Sequence, residues 1–280
     1  MKIALGKTNK LTVLRFAPQG AYLDGGPDNG ILLPKRYMPE HLQVGDEVEV
    51  FLYLDNEERL VATTEKPLAQ VGDFAWLRVA WVNTYGAFLN WGLMKDLFVP
   101  FREQRQIMEQ GRSYLVHIHI DPESYRIVAS ARIEMFLKRD HPSFHTGDAV
   151  QILVAGRTPL GYKTIVENAY QGMLFANELI ADIQSGDRME AYVKQVRPDG
   201  KIDLSLQTIG RQGVTSFAQR LLRHIEMHGG RTHLCDSSSA DEIYAVFGVS
   251  KKVFKRAVGD LYKRRLITIE PTGLRLVAED

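Results

Sequence analysis

The sequence predicts a mainly β chain with an α+β tail, organised as three small β-barrels in tandem and a last domain of three helices and a hairpin. Three observations predict this fold class. A hairpin of one plan occurs three times, two sets of glycines repeat at one spacing, and helical periodicity is concentrated in residues 211–280. The repeated part is therefore expected to consist of strands and turns, and the tail to contain the helices.

The repeated hairpin consists of a strand, a polar turn and a second, apolar strand that ends in small or hydroxyl residues. In its third copy, Pro198-Asp199-Gly200 is typical of a turn. The residues after this turn alternate between apolar and polar with the period of a half-buried strand. The three copies are residues 52–64, 119–131 and 196–207.

Two sets of glycines confirm that the repeat is a whole module. Members of each set are separated by 66 and then 75 positions: Gly20, Gly86 and Gly161 form one set, and Gly45, Gly111 and Gly186 form the other. Five short strands in so short a unit favour a Greek-key barrel of the OB class. The domains are predicted at residues 1–66, 67–140 and 141–210 for the barrels and 211–280 for the tail.

Composition restricts the class of protein. The 280 residues have a net charge of +1, which argues against a general polyanion-coating protein. Residues 211–280 hold 12 Lys and Arg against 8 Asp and Glu, whereas residues 1–210 hold 23 against 26. The N-terminus does not resemble a signal peptide, no apolar run is long enough for a membrane span, and Cys235 is the only cysteine. We expect a cytoplasmic protein.

Two stretches resemble known families. VNTYGAFLNWGLMKDLFVP (82–100) and DPESYRIVASAR (121–132) are similar to the ribosomal S1-type RNA-binding domain. Residues 160–207 and the tail motif FGVSKKVFKRAVGDLYKRRLI (247–267) resemble the conserved virulence factor B family of bacterial RNA-binding proteins. That resemblance implies three S1-type domains, a C-terminal winged helix, and binding of single-stranded RNA, with the ribosome or mRNA as candidate partners.

OB barrels bind single strands by stacking bases on exposed aromatic rings beside cations that follow the backbone. In the second unit the matching residues are Tyr85, Phe88 and Arg126. Tyr85 and Phe88 lie three positions apart, so we expect a bulge at Gly86 to bring both rings to one face. The alternative is that Phe88 belongs to the barrel core.

The third unit is richer in candidate RNA-binding residues, and the first unit is poorer. The third combines aromatic and cationic side chains: Tyr162, Lys163, Phe175, Lys194, Arg197 and Lys201. The alternative there is a solvated hairpin with ordinary surface lysines. The family's third-strand histidine is replaced by Leu33, Val99 and Phe175 in the three units. The first unit retains only Tyr22 of the aromatic pattern, and we expect it to be mainly structural.

The tail is predicted to be a winged helix, because three helices precede a terminal hairpin. The first helix is expected over 214–228 and is followed by two glycines. The second is capped by Ser238 or Ser239 and ends at Phe247. The third is capped by Ser250 and runs to about Arg265. The hairpin turns at 271–273.

The third helix is predicted to be amphipathic. Its apolar face comprises Val253, Phe254, Ala257, Val258 and Leu261, and its basic face comprises Lys251, Lys252, Lys255, Arg256 and Lys263. A wholly basic outer face is typical of a surface that contacts phosphates. The alternative is a solvated charged face without a ligand.

Two groups of histidines resemble metal ligands in part, and neither is favoured as a metal site. His224 and His228 precede His233 and Cys235, but this spacing matches no standard zinc site. His117 and His119 alternate with apolar residues in a strand, so both are expected to face solvent. We expect no metal and no other cofactor.

The sequence carries no nucleophile elbow, phosphate-binding loop or HExxH motif, so we expect no enzyme. The favoured function is binding of single-stranded RNA by the second and third barrels and the winged helix, with a role in post-transcriptional regulation of gene expression. One alternative is a winged-helix DNA-binding transcription regulator. Another is a protein-interaction scaffold built on the barrels.

Overall fold

A computed structural model describes residues 3–25, 30–176, 183–206, 216–270 and 273–277. The chain divides into two compact units, Met1–Leu206 and Gln207–Asp280. None of the helices within these ranges has the length and apolar character needed to cross a bilayer.

The first unit contains three closed five-stranded barrels. The first barrel is formed by β1 (Thr8–Ala17), β2 (Gly20–Leu23), β3 (Ile31–Pro34), β4 (Glu47–Leu54) and β5 (Leu60–Thr63). The second is formed by β6 (Phe74–Val82), β7 (Gly86–Asn90), β8 (Leu97–Pro100), β9 (Ser113–Ile120) and β10 (Ile127–Ser130). The third is formed by β11 (Ala149–Thr158), β12 (Gly161–Val166), β13 (Tyr170–Phe175), β14 (Arg188–Val196) and β15 (Ile202–Ser205).

All three barrels have the same topology. The order around each barrel is first, second, third, fifth and fourth strand, with the first and fourth also paired. The third and fifth strands run parallel, and the other neighbours run antiparallel. The three tandem OB-type barrels predicted from the repeat are therefore confirmed.

The first set of repeated glycines begins the second strand of each barrel. Gly20, Gly86 and Gly161 have φ values of 154°, 159° and 145°. A Cβ atom on Gly86 would collide with the carbonyl oxygen of Val99 on the neighbouring strand. The glycines therefore permit a close backbone approach between the second and third strands.

The β-bulge predicted at Gly86 lies elsewhere, so that detail was wrong. The register of β6 on β7 shifts between Val79 and Trp81, which makes Ala80 the extra residue. Leu14 and Ala155 occupy the same place in the first and third barrels, again 66 and 75 positions apart. In all three barrels the bulge lies on the first strand, and the residues of that strand beyond the bulge are no longer buried.

In the third unit, the assignment of Phe175 to the family's histidine position was also wrong, by one residue. Phe175 pairs with Gly161, just as Pro100 pairs with Gly86. Leu174 is therefore the counterpart of Val99, and both side chains are fully buried. Phe175 is half-buried and lies outside the barrel core.

The barrels of the first unit pack on one another through the outer faces of their strands. Phe51 of β4 lies outside the first barrel's core and contacts Trp91 of the second barrel edge-on, with ring centroids 5.6 Å apart. Between the second and third barrels, Phe74 packs with Leu153 and Ile165. Asn168 accepts a hydrogen bond from the Phe74 amide at 2.9 Å.

This packing overturns the expectation that His117 and His119 face solvent. His117 is only 8% exposed, and its ring stacks on Phe136 with centroids 4.1 Å apart. His119 is half-buried beside it. Strand alternation correctly separated both histidines from the barrel core, but the segment after β10 covers that outer face. The alternation of residues within one strand cannot show whether a distant segment packs on its outer face.

The second unit contains α1 (Ser216–Met227), α2 (Ala240–Phe247) and α3 (Lys251–Lys263). A sheet of β16 (Arg231–Thr232), β17 (Ile267–Glu270) and β18 (Gly273–Leu276) has the order β16-β18-β17. The predicted winged helix is confirmed, although β16 was not anticipated. The first two residues of the predicted first helix and residues 271–272 of the hairpin turn lie outside the described residues.

Local signals explain both ends of α2, whereas Ser250 occupies the N-cap position of α3 without the predicted side-chain capping hydrogen bond. Ser239 caps α2 in a reciprocal box with Glu242, and Gly248 ends it in the left-handed conformation. The third helix ends at Lys263, slightly earlier than predicted. Val253 is 44% exposed, so it does not belong to the buried face of α3, contrary to the prediction.

Candidate nucleic-acid interface

A groove of about 1110 Å³ lies between the first and second barrels. The β4–β5 hairpin of the first barrel forms one wall. The outer faces of β6, β7 and β8 form the other wall and present aromatic rings. The groove is therefore built from two modules of the repeat.

The aromatic wall is a stack of three rings. Trp81 and Phe88 are parallel, with ring centroids 3.6 Å apart and an interplanar angle of 5°. Phe98 tilts against Phe88 at 4.9 Å. The bulge at Ala80 creates this arrangement, because Val79 points into the core and strict alternation would turn Trp81 inward as well. Trp81 instead lies opposite Phe88 and is 42% exposed.

Tyr85 and Phe88 both line this groove, although the bulge is not at Gly86. Tyr85 belongs to the turn before β7 and is 74% exposed. Phe88 is half-buried between Ala87 and Leu89, which point into the core. Phe88 therefore lies on the outer face of the barrel and not in its core.

The tryptophan is held in place by a carboxylate. The indole Nε1 of Trp81 donates a hydrogen bond to Oδ2 of Asp96 at 2.9 Å. Sequence reasoning missed Trp81, Phe98 and Asp96. The repeat spacing of 66 could have identified Trp81, because it makes Trp81 equivalent to Arg15 of the first barrel. Arg15 lies opposite Tyr22 there, as Trp81 lies opposite Phe88, and its guanidinium is 3.8 Å from the Tyr22 ring centroid.

The cations of the groove are engaged within the protein. Arg126 forms an ion pair with Glu58 of the first barrel. Arg102 pairs with Asp121 at 3.0 Å. The Lys95 ammonium donates hydrogen bonds to the carbonyl oxygens of residues 54 and 55, and burial lowers its pKa. The contacts of Arg126 and Lys95 join the two barrels across the groove, the Arg102 pair lies within the second barrel, and together they leave little net positive charge.

In the third barrel, the predicted residues form one small cluster and several separate positions. The Arg197 guanidinium lies 5.7 Å from the ring centroid of Phe175 and pairs with Asp203 at 2.7 Å. Lys201 pairs with Asp199 at 2.7 Å in the hairpin turn. The remaining residues do not join the cluster: Tyr162 packs against the core, and Lys163 and Lys194 are exposed.

The basic face of α3 is present with one change. Four of its cations are exposed: Lys252, Lys255, Arg256 and Lys263. Lys251 is half-buried in the first turn. The opposite face is buried by Phe254, Ala257, Val258 and Leu261. Lys255 lies 4.0 Å from the Asp236 carboxylate, so its charge is partly balanced.

The histidines of the second unit line a separate pocket of about 530 Å³. The rings of His224 and His228 stack with centroids 4.0 Å apart. The Cys235 thiol contacts the Ser237 hydroxyl at 2.8 Å. Within the described ranges, no three His, Cys, Asp or Glu side chains are placed to hold a metal ion.

The comparisons agree with this architecture. Residues 5–65 match the S1 domain family, and residues 219–276 match the CvfB-like winged helix domain family. The S1 match thus falls on the first barrel, whereas the sequence motifs drew the resemblance to the second.

The relatives cover most of the chain. The uncharacterized protein YitL of Bacillus subtilis is 28% identical over 87% of this chain and 84% of its own length. Conserved virulence factor B of Staphylococcus aureus is 23% identical over 85% and 81%. A multidomain protein with nucleic acid binding domains from Streptococcus pneumoniae aligns over 98% of both chains, with 24% identity and a TM-score of 0.42.

The S1 and winged-helix domains indicate a nucleic-acid-binding protein. The matched families are not known as enzymes. The chain therefore combines an S1 domain with a CvfB-like winged-helix domain and is a homologue of the conserved virulence factor B proteins, as its sequence motifs predicted.

Proposed function

We propose that this chain is a non-catalytic, cytoplasmic protein that binds single-stranded RNA and acts in post-transcriptional regulation, with mRNA or the ribosome as its partner. The observation that carries the proposal is the aromatic stack of Trp81, Phe88 and Phe98, which has Trp81 exposed at its outer end and Tyr85 exposed in the same groove. The Phe175–Arg197 cluster and the basic face of α3 supply further contacts.

Aromatic rings in a groove suit unpaired bases better than a duplex. A base can stack on Trp81 only if its face is accessible, and stacking on the neighbouring base pairs of a double helix buries both faces. The ion pairs of Arg126 and Arg102 weaken a purely electrostatic interaction with phosphates. The family resemblance supports RNA as the nucleic acid.

The test is a stacking variant measured against three nucleic acids. Trp81→Ala with Phe88→Ala removes the stacked pair whose open indole face can receive a base. One such base contact is worth roughly 1–3 kcal/mol, so affinity for single-stranded RNA should fall at least about fivefold. The salt dependence should change little, because stacking releases no counterions. Tyr244→Ala, an exposed aromatic on α2, is the matched control and should bind normally.

Three outcomes would contradict the proposal. Wild-type RNA affinity in a folded Trp81→Ala, Phe88→Ala variant would exclude the groove as the site. Tighter binding to duplex DNA than to single-stranded RNA at equal salt would favour the transcription regulator. Absence of binding to any nucleic acid would favour the interaction scaffold.

A second candidate, binding of duplex DNA through α3, is favoured by the exposed cations Lys252, Lys255 and Arg256. An amphipathic helix in a winged-helix domain is the element that enters a major groove in many DNA-binding proteins. The comparison of nucleic acids in the same experiment separates this candidate from the first.

A further inference from the structure

The formal charges that line the groove balance. Within the described part of the chain, four cations line it, Arg36, Lys95, Arg102 and Arg126, and so do four carboxylates, Asp55, Glu58, Asp96 and Asp121. Each cation has an intramolecular partner: a carboxylate for two arginines, backbone carbonyls for the lysine and an aromatic ring for the remaining arginine. The groove is thus better suited to the faces and edges of bases than to phosphates.

Asp96 lies at the edge of the aromatic stack. One oxygen of its carboxylate accepts the Trp81 indole N–H at 2.9 Å, so the position of the carboxylate is fixed relative to the ring. A base stacked on Trp81 at roughly 3.5 Å has its own edge close to that carboxylate. The second oxygen can accept a hydrogen bond from such a base.

The carboxylate occurs only in the barrel that has the tryptophan. The strand registers place Gly30 and Gln171 at the position of Asp96 in the first and third barrels. Arg15 and Gly156 occupy the position of Trp81 there. Among the three barrels, an indole and a carboxylate therefore occur together only in the second.

Resting on the proposed function, we propose that Asp96 determines which base the groove accepts. Its carboxylate accepts a hydrogen bond from the exocyclic amino group of a cytosine or adenine stacked on Trp81. Uracil presents a carbonyl oxygen at the position of that amino group, and its lone pairs repel the carboxylate. The groove prefers single-stranded RNA whose bases carry an amino group, and cytosine over uracil is the closest comparison.

A purely structural role for Asp96 is the competing explanation, and Asp96→Asn separates the two. The asparagine carbonyl can still accept the Trp81 N–H, so the stack keeps its support. The amide group then presents a donor to the base where the carboxylate presented an acceptor. A structural role predicts equal effects on all bases, whereas a recognition role predicts a changed preference.

The experiment measures the affinity of the full chain for oligocytidylate and oligouridylate of about 10 nucleotides at pH 7.5 and fixed salt. The wild-type protein should bind oligocytidylate about tenfold more tightly. Asp96→Asn should reduce this ratio to one or reverse it. Asp96→Ala should bring the ratio close to one, because the hydrogen bond from cytosine and the repulsion of uracil are both lost. Glu40→Gln removes one exposed negative charge elsewhere in the first unit and should keep the wild-type ratio.

The failure of this inference is distinct from failure of the proposed function. Equal wild-type affinity for the two oligonucleotides, or an unchanged ratio in Asp96→Asn, would overturn the role of Asp96 while leaving RNA binding intact. A wild-type protein that binds neither oligonucleotide would overturn both.

Discussion

The buried imidazole of His117 makes the stability of the second barrel depend on pH. Burial is the main cause that lowers its pKa from 6.5 to about 4, and the neighbouring His119 and Lys7 act in the same direction. The carbonyl of Gly72 and the carboxylate of Asp73 oppose the shift but do not cancel it. The ring is therefore neutral in the folded protein near neutral pH.

The sign and size of the effect follow from this shift. Below pH 6.5 the unfolded chain binds a proton at this residue, whereas the folded chain does so only near pH 4. Stability from the neutral ring is thus fully present above pH 6.5 and is lost as the pH falls toward 4. A shift of about 2.5 pH units corresponds to about 3 kcal/mol at most.

The assay is urea unfolding followed by tryptophan fluorescence between pH 7.5 and pH 4. All three tryptophans, Trp76, Trp81 and Trp91, belong to the second barrel, so their fluorescence reports its unfolding. His117→Phe keeps a ring against Phe136 but cannot be protonated. From pH 7.5 to pH 4, the free energy of unfolding should fall by about 3 kcal/mol less in His117→Phe than in the wild-type protein.

A matched control is His145→Gln, because the His145 side chain is 89% exposed. This variant should keep the wild-type dependence on pH. Parallel curves for His117→Phe and the wild-type protein would refute the reasoning. So would an NMR titration that places the pKa of His117 near 6.5.

Three further predictions concern the repeat, the junction of barrels and the tail. Gly86→Ala should destabilise the second barrel by at least about 2 kcal/mol more than Gly111→Ala. The reason is that the new methyl group collides with a backbone carbonyl only at position 86. Equal urea-unfolding midpoints for the two variants would contradict this. Asn168→Ala removes hydrogen bonds to Phe74 and Gly72 and should cost about 2 kcal/mol and speed hydrogen exchange of the Phe74 amide; unchanged exchange would contradict it. Lys252→Ala with Arg256→Ala should weaken RNA binding and lower the salt slope by roughly 0.7 for each lost phosphate contact, as measured by titration at several salt concentrations; an unchanged slope would exclude the basic face of α3.

The sequence alone determined the features that depend on nearby residues. Gly86 and its counterparts revealed the module, since a close approach of two strands tolerates only glycine. The Ser239 cap and Gly248 stop defined α2, because caps act within one turn of a helix. Alternation and amphipathicity also predicted most of the apolar face of α3.

Only the tertiary structure decided the groove and its surroundings. Trp81 faces Phe88 because of a bulge, and no local pattern states which strand of a hairpin carries the extra residue. The partners of Arg126 and His117 lie on elements that are remote in sequence, Glu58 of the first barrel and Phe136 after β10. Periodicity predicts which side chains point away from a barrel's core. What those side chains contact depends on how the barrels dock, and docking depends on whole surfaces rather than on short stretches of sequence.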